Sequence, residues 1–199
     1  LGHTLVTLSE VLAGLALGVS GASLLGYALA KSSTLERLLS PYVVASQAIP
    51  IIAIAPLLVI WFGPGRISKV LICGLIVFFP VLVNTVVGVR SVPRELNELM
   101  RSLRATRSQV FLKLEAPAAM PVLLGGLKIG ATLSVIGAVV GEFVGADQGL
   151  GFLINLGDGL YDTPLVFVGV LTLIGMALTL FGLVAALERR LLAWRTVEV

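Results

Sequence analysis

Apolar residues run along this chain in long blocks, each separated from the next by a short cluster of charged or turn-forming residues. A bilayer core takes about 20 mostly apolar helical residues to cross. Five stretches meet that length: Val11 to Ala30, Pro41 to Phe62, Ile67 to Val89, Met120 to Val144 and Pro164 to Leu187. The pattern predicts five membrane-spanning helices. The charged "KSSTLERLLS" separates the first two, and the turn signal "GPGR" at Gly63 to Arg66 divides the second from the third.

Within these blocks small residues recur at helical spacing. Gly14, Gly18, Ala22 and Gly26 form one row in the first span; Gly126, Gly130, Ser134 and Ala138 form another in the fourth, continuing to Glu142. A further row runs Gly137, Gly141, Gly145. Lipid supplies no hydrophobic drive between helices, so such rows predict helices packed backbone to backbone. Prolines interrupt the regularity, because each removes a backbone hydrogen bond. Kinks are expected at Pro50 and Pro56 in the second span and at Pro80 in the third.

Polar side chains inside the blocks are the candidates for function. An amide in hydrocarbon faces either a cavity or another helix, so Gln47 and Asn84 are candidate pathway residues or interhelical hydrogen-bonding groups. Ser134 is a third candidate for pathway lining. Lys128 is placed to snorkel along its stem to the nearer membrane surface, or to act as a functional charge. Glu142 follows about 14 residues, roughly 21 Å, further along the fourth span. It is either an interface residue solvated by the outer aqueous phase or part of an external gate.

Composition fits this reading. Of 199 residues 57% are hydrophobic and 13% charged, and the mean hydropathy is +1.05, which places the chain among all-α integral membrane helical bundles. The net charge of +3 does not point to nucleic acid, because no basic segment is interleaved with stacking aromatics. One cysteine, Cys73, excludes an intrachain disulfide. With His3 as the one histidine, no catalytic residue and no metal or other cofactor is expected. Asp158 and Asp162 lack a visible third ligand. A Walker-type phosphate loop is absent, so the chain does not itself split ATP.

Basic residues mark the cytoplasmic side of a membrane protein. Lys31 and Arg37 lie between the first two spans, six basic residues (Arg90, Arg94, Arg101, Arg104, Arg107 and Lys113) between the third and fourth, and Arg189, Arg190 and Arg195 after the fifth. The opposite side carries Arg66 and Lys69 and, between the last two spans, Asp147, Asp158 and Asp162. The N-terminus is therefore expected outside and the C-terminus inside. No charged leader or cleavage site precedes the first apolar run, and a preceding span entering from the cytoplasm would explain the outside start.

Residues 90–116 form the one long charged connection. Val92, Leu96, Leu99, Met100, Leu103, Val110, Phe111 and Leu114 fall in one helical stripe, with Arg107 in its middle. One continuous helix would bury that charge, so two short amphipathic helices are predicted, turning between Arg104 and Arg107. A loop this long is usually functional; a helix lying on the membrane surface is the other reading of its basic, amphipathic character.

Glu98, Arg104 six residues on, and Pro117 thirteen beyond that resemble the EAA loop of permease subunits in binding-protein-dependent ABC importers of the type I fold. In "NELMRSLRATRSQVFLKLEAPAAMP", residues 97–121, Glu98 matches the motif's glutamate, Leu99 and Met100 replace its alanines, and Arg104 stands in place of its glycine. The stretch from Arg107 and the end "APAAMP", with Pro117, match the rest. Residues 56–93 and 141–154 are similar to the branch that serves nitrate, sulfonates, taurine and thiamine-pyrimidine or riboflavin-type substrates. "SQAIPIIAIAPL" looks more like its vitamin-precursor members.

This resemblance implies a single permease domain over residues 1–199, six spans in the full protein, and a bacterial inner-membrane location. It implies a cytoplasmic ABC ATPase dimer into which the loop docks, an external solute-binding protein and a second permease chain, with a homodimer expected. Because a left-handed turn conformation disfavours residues other than glycine, the turn is expected to move to Ala105 or Thr106, freeing Arg104 to pair with an acidic group of the ATPase. An ATP-independent transporter or channel, with Lys128 and Glu142 as coupling charges, predicts inverted repeats, and none is visible. A membrane-embedded enzyme lacks a nucleophile and a base.

Overall fold

The computed structural model describes residues 1–193, which are helical with short connections and hold no strand. Arg195, counted above among the basic residues of the tail, lies outside the described residues. Helix α1 spans Gly2–Lys31. It begins well before Val11, because Thr7 and Glu10 turn into the protein rather than toward water and are fully buried.

The second span is not one kinked helix. It divides into α2 (Ser33–Gln47) and α3 (Ile51–Phe62), which meet at a 94° bend. Pro50 explains the break, having no amide hydrogen and disfavouring helical backbone in the residue before it. Pro41 and Pro56 lie inside the two halves without dividing them. Ser32 caps α2, accepting from the Leu35 amide at 3.2 Å.

Helix α4 (Arg66–Arg90) runs unbroken through Pro80. After it come α5 (Arg94–Ser102) and α6 (Arg107–Val110), then a π-helical turn, Phe111–Glu115, leading without interruption into α7 (Ala116–Phe143). The connection expected between the last two spans folds in part as a short helix, α8 (Leu150–Gly159), and α9 (Thr163–Leu191) completes the described chain. Helices α1, α4, α6 with α7, and α9 are long and apolar enough to cross a membrane, and the bent α2–α3 pair makes a fifth crossing when taken together.

Helix α4 is the axis of the bundle, flanked by α1 and α7; α9 packs on α7 and α8, and α3 on α4. The small-residue rows make this possible. A side-chain carbon at Gly14 would come 2.2 Å from the Cβ of Cys73, and one at Gly137 would come 2.8 Å from the Cα of the same residue. Cys73 is thus held between the glycine faces of two helices. Gly145 lies beyond the end of α7 and does not extend the row of Gly137 and Gly141. The outer faces of α3 and α9 leave Ile60, Trp61, Leu171 and Leu178 exposed, as lipid-facing helices do.

Candidate functional site

Candidate functional groups collect at the two ends of the bundle. At one end α5 carries no buried residue, and Leu96, Leu99 and Leu103 are exposed together with Glu98, Arg101 and Arg104. The chain then reverses through a Schellman turn. The Ala105 amide donates to the Met100 carbonyl at 3.0 Å and the Arg104 amide to the Arg101 carbonyl at 2.9 Å.

Arg104 has φ 52°, so the turn has not moved to Ala105 or Thr106. Arg104 itself takes the left-handed conformation that the family motif assigns to glycine. Helical hydrogen bonding fixes where that conformation must fall, and an arginine with an exposed side chain can adopt it at a modest cost. Arg107 opens α6, exposed, behind a capping box. Thr106 accepts from the Gln109 amide at 3.3 Å, and its own amide donates to the Gln109 side chain at 2.8 Å.

Pro117 stands just after the π turn. Lacking an amide hydrogen, it cannot bond the carbonyl one turn back, and the turn before it is widened, the Ala116 amide reaching the Phe111 carbonyl. The π turn also swings Glu115 inward, to 3% exposure. There it accepts from the Tyr27 hydroxyl at 3.0 Å and pairs with Lys31, while Phe111 meets Tyr27 edge to face at 5.3 Å. Sequence reasoning missed Glu115. The one signal was its place directly before an apolar-proline run in a segment read as amphipathic.

Other charges at this end are tied between helices. Arg90 grips both carboxylate oxygens of Glu36 at 2.5 and 2.6 Å, joining α4 to α2. Lys128, partly exposed, pairs with Glu188 of α9.

At the opposite end Glu142, expected to face the outer aqueous phase or a gate, is not solvated: 1% of it is exposed. It accepts from the Thr7 hydroxyl at 2.6 Å and from the Gly151 amide. Thr7 in turn accepts from the Leu150 amide at 2.8 Å, and His3 Nδ1 accepts from the Gly149 amide at 3.0 Å. Three successive amides at the start of α8 are therefore satisfied by His3, Thr7 and Glu142. The carboxylate also faces the positive end of the helix dipole.

Lys69, counted from sequence with Arg66 among the basic residues of the outer side, is buried in α4 with its Nζ 3.2 Å from Glu10. Sequence reasoning left Glu10 outside the first span and missed this pair.

The three candidate pathway residues each hydrogen-bond within their own helix. Gln47 is exposed and lines a groove of about 170 Å³ with Val43, Leu82 and Val86; its Nε2 lies 3.5 Å from the Val43 carbonyl. Asn84 donates to the Pro80 carbonyl at 2.8 Å and packs against Gly126. Ser134 is fully buried and donates to the Ala131 carbonyl at 2.8 Å.

Comparison with known proteins bears on this architecture. Residues 18–193 match the family described as "Binding-protein-dependent transport system inner membrane component". The riboflavin transport system permease protein RibX of Chloroflexus aurantiacus is 52% identical over 96% of this chain and 72% of its own length. The formylaminopyrimidine transport permease protein ThiX of Halalkalibacterium halodurans is 40% identical over 97% of this chain and 77% of its own. Among solved structures, a chain of the MetNI methionine ABC transporter superposes with a TM-score of 0.81 at 19% identity, covering 95% of this chain and 94% of that one. A bundle of this fold, an exposed amphipathic loop leading through a π turn into α7, and these relatives agree, and the chain belongs to the family of binding-protein-dependent inner-membrane permeases of ABC importers.

Proposed function

We propose that this permease carries riboflavin or a thiamine pyrimidine precursor inward, paired with a second copy of itself. Its N-terminus faces outward and its C-terminus the cytoplasm. Likeness to the riboflavin permease at 52% identity over nearly the whole chain supports the substrate class. The observation that carries the mechanism is the uncovered apolar face of α5, with Leu96, Leu99 and Leu103 exposed beside basic residues.

A cleft on the ATPase would bury that face. Glu98, Leu99, Met100, Arg104 and Arg107 supply the contact, with Arg104 pairing an acidic group. Pro117, behind the π turn, passes the motion into α7. Closure of the ATPase dimer then moves α5 and α6 as a rigid unit and switches the bundle between inward-open and outward-open states. Gln47, Asn84 and Ser134 line the path, and Glu142, by holding α8 to α1 and α7, serves the external gate.

The substrate is tested by measuring binding of riboflavin, pyrimidine precursors, alkyl sulfonates and nitrate to the partner solute-binding protein, followed by uptake into vesicles holding the whole transporter. Preference for an alkyl sulfonate would overturn the substrate and leave the permease assignment standing. For the pairing, Arg104→Gly should keep transport while Arg104→Glu uncouples ATP hydrolysis from it. Parental transport in both variants would sink the pairing.

A further inference from the structure

At the end of the bundle that carries α5, a groove of about 370 Å³ lies between α1, α4 and α7, lined by Ser23 and Tyr27 of α1, Thr85 and Val89 of α4, and Phe111 and Leu123 of the π turn and α7. Pockets of this size hold small ligands. Its hollow comes from side-chain size. Between Phe111 and Leu123 the wall is made by Ala116 and Ala119, which leave open the space that the larger residues at either end enclose. Leu24 and Phe111, on facing walls, are exposed, so the groove opens sideways toward lipid.

Its length matches one leaflet. Phe111 and Leu123 are 12 positions apart, roughly 18 Å of helix, against about 15 Å for half of a bilayer's hydrocarbon core. Along this length Thr85 donates to the Val81 carbonyl of its own helix at 2.7 Å, and the Tyr27 hydroxyl donates to Glu115. Neither is left seeking a polar ligand, and the rest of the wall suits an apolar chain.

Both walls end in a cation at the same end of the groove. On α1, Ser23, Tyr27 and Lys31 recur every four residues, so Lys31 stands one turn beyond Tyr27 on the groove-facing side. On the other wall the Phe111 amide reaches the Arg107 carbonyl, so Arg107 stands one turn before Phe111 on the same helical face. The Lys31 side chain is 45% exposed although it pairs with Glu115, which leaves it two further N–H donors. That pair is neutral. Arg107 is exposed and pairs with no acid among the described residues. The end of the groove therefore carries one uncompensated positive charge.

We propose that this groove binds an anionic phospholipid, one acyl chain lying along Ala116 and Ala119 and the phosphodiester, with its single negative charge, held by Lys31 and Arg107. A zwitterionic lipid brings its own cation to the same place, where Arg101, Arg104 and Lys113 add to the positive potential. Arg107 has donors enough for a phosphate and a protein acid together, so the lipid leaves the docking of α5 possible. The bound chain becomes part of the joint where the π turn meets α1. The inference rests on the chain's place in the membrane and not on the solute carried.

The test places the photoreactive amino acid benzoylphenylalanine at Phe111, whose shape it extends, in the whole transporter, permease with its ATPase, in nanodiscs of phosphatidylcholine with phosphatidylglycerol as the minor lipid. The mass of the adduct names the occupant. Phosphatidylglycerol is expected about fivefold above its share of the disc, the effect of one cation near a membrane surface. The same label at Leu171, on the exposed face of α9, should take the two lipids in bulk proportion. Arg107→Gln should bring the Phe111 adducts back toward that proportion. Ala116→Leu and Ser23→Leu, each filling the groove, should remove the lipid adducts without preventing assembly. Should the label at Phe111 itself hinder assembly, Leu24 on the facing wall takes its place. Adducts in bulk proportion at the groove, or adducts to a second permease chain or to the ATPase, overturn the proposal, as does an enrichment that survives Arg107→Gln or both groove-filling variants.

Discussion

The hydroxyl of Thr7, in the second turn of α1, lies 2.6 Å from the carboxylate of Glu142, at the far end of α7 and 135 positions along the chain. It also accepts the Leu150 amide at 2.8 Å, so one small side chain joins α1, α7 and α8. Thr7→Val keeps the shape but removes both bonds, leaving a buried carboxylate oxygen and a buried amide short of a partner. A loss of about 1–3 kcal/mol is expected, seen as a lower midpoint of thermal unfolding in detergent. Thr7→Ser should stay close to the parent.

Gly151 tests the same joint from the other side. An added Cβ would stand 2.9 Å from a Glu142 oxygen and 3.2 Å from the Cα of Val139. Gly151→Ala should therefore push α8 off α7, costing on the order of 1–3 kcal/mol. Limited proteolysis in the 145–160 region should speed up. Gly159→Ala, where nothing lies within 4 Å, is the control expected to change nothing.

At the centre of the bundle, Gly137→Ala would place a carbon 2.8 Å from the Cα of Cys73. Backbone cannot step aside as a flexible side chain can, so α4 and α7 must separate along their length. We expect about 1–3 kcal/mol of destabilisation and faster labelling of Cys73 by a thiol reagent. Unchanged labelling would contradict the close α4–α7 contact.

The left-handed backbone at Arg104, φ 52°, recurs at Tyr161, φ 54°, in a second Schellman turn where the Asp162 amide reaches the Gly157 carbonyl at 2.8 Å. Both sites should gain from glycine. Arg104→Gly and Tyr161→Gly are each expected to stabilise by about 1 kcal/mol, while Arg104→Val should destabilise. Thermal unfolding of the purified permease reads all three.

Glu115 joins the π turn to α1 through Tyr27 and Lys31. Lys31→Met should leave Glu115 with Tyr27 as its remaining side-chain partner and lower stability by about 1–3 kcal/mol. Glu115→Gln should lose less, as the amide oxygen still accepts from Tyr27. In the assembled transporter, both should reduce transport more than ATP hydrolysis. An equal fall in the two rates would mean that this contact only holds the fold.

Much of this was legible in the order of residues. Spans of about 20 apolar residues have no other stable place than a bilayer. The buried row Gly14, Gly18, Ala22, Gly26 announced its own packing, because small residues at four-residue spacing form a flat helical face. Arg107 in the middle of an apolar stripe demanded the break that separates α5 from α6.

Other features depend on partners far away in sequence. Glu10 reads as a polar residue outside the first span until Lys69 of α4 is beside it. Glu115 looks like the exposed Glu98 until the π turn rotates it toward Lys31. The second span reads as continuous because Pro41, Pro50 and Pro56 look alike on paper, and Pro50 alone divides it. By itself the sequence determined which segments enter the membrane and which helix faces can approach closely, because hydropathy and side-chain size act locally. The tertiary structure alone decided which charges are buried together, because a buried charge is tolerable only where distant helices bring it a partner.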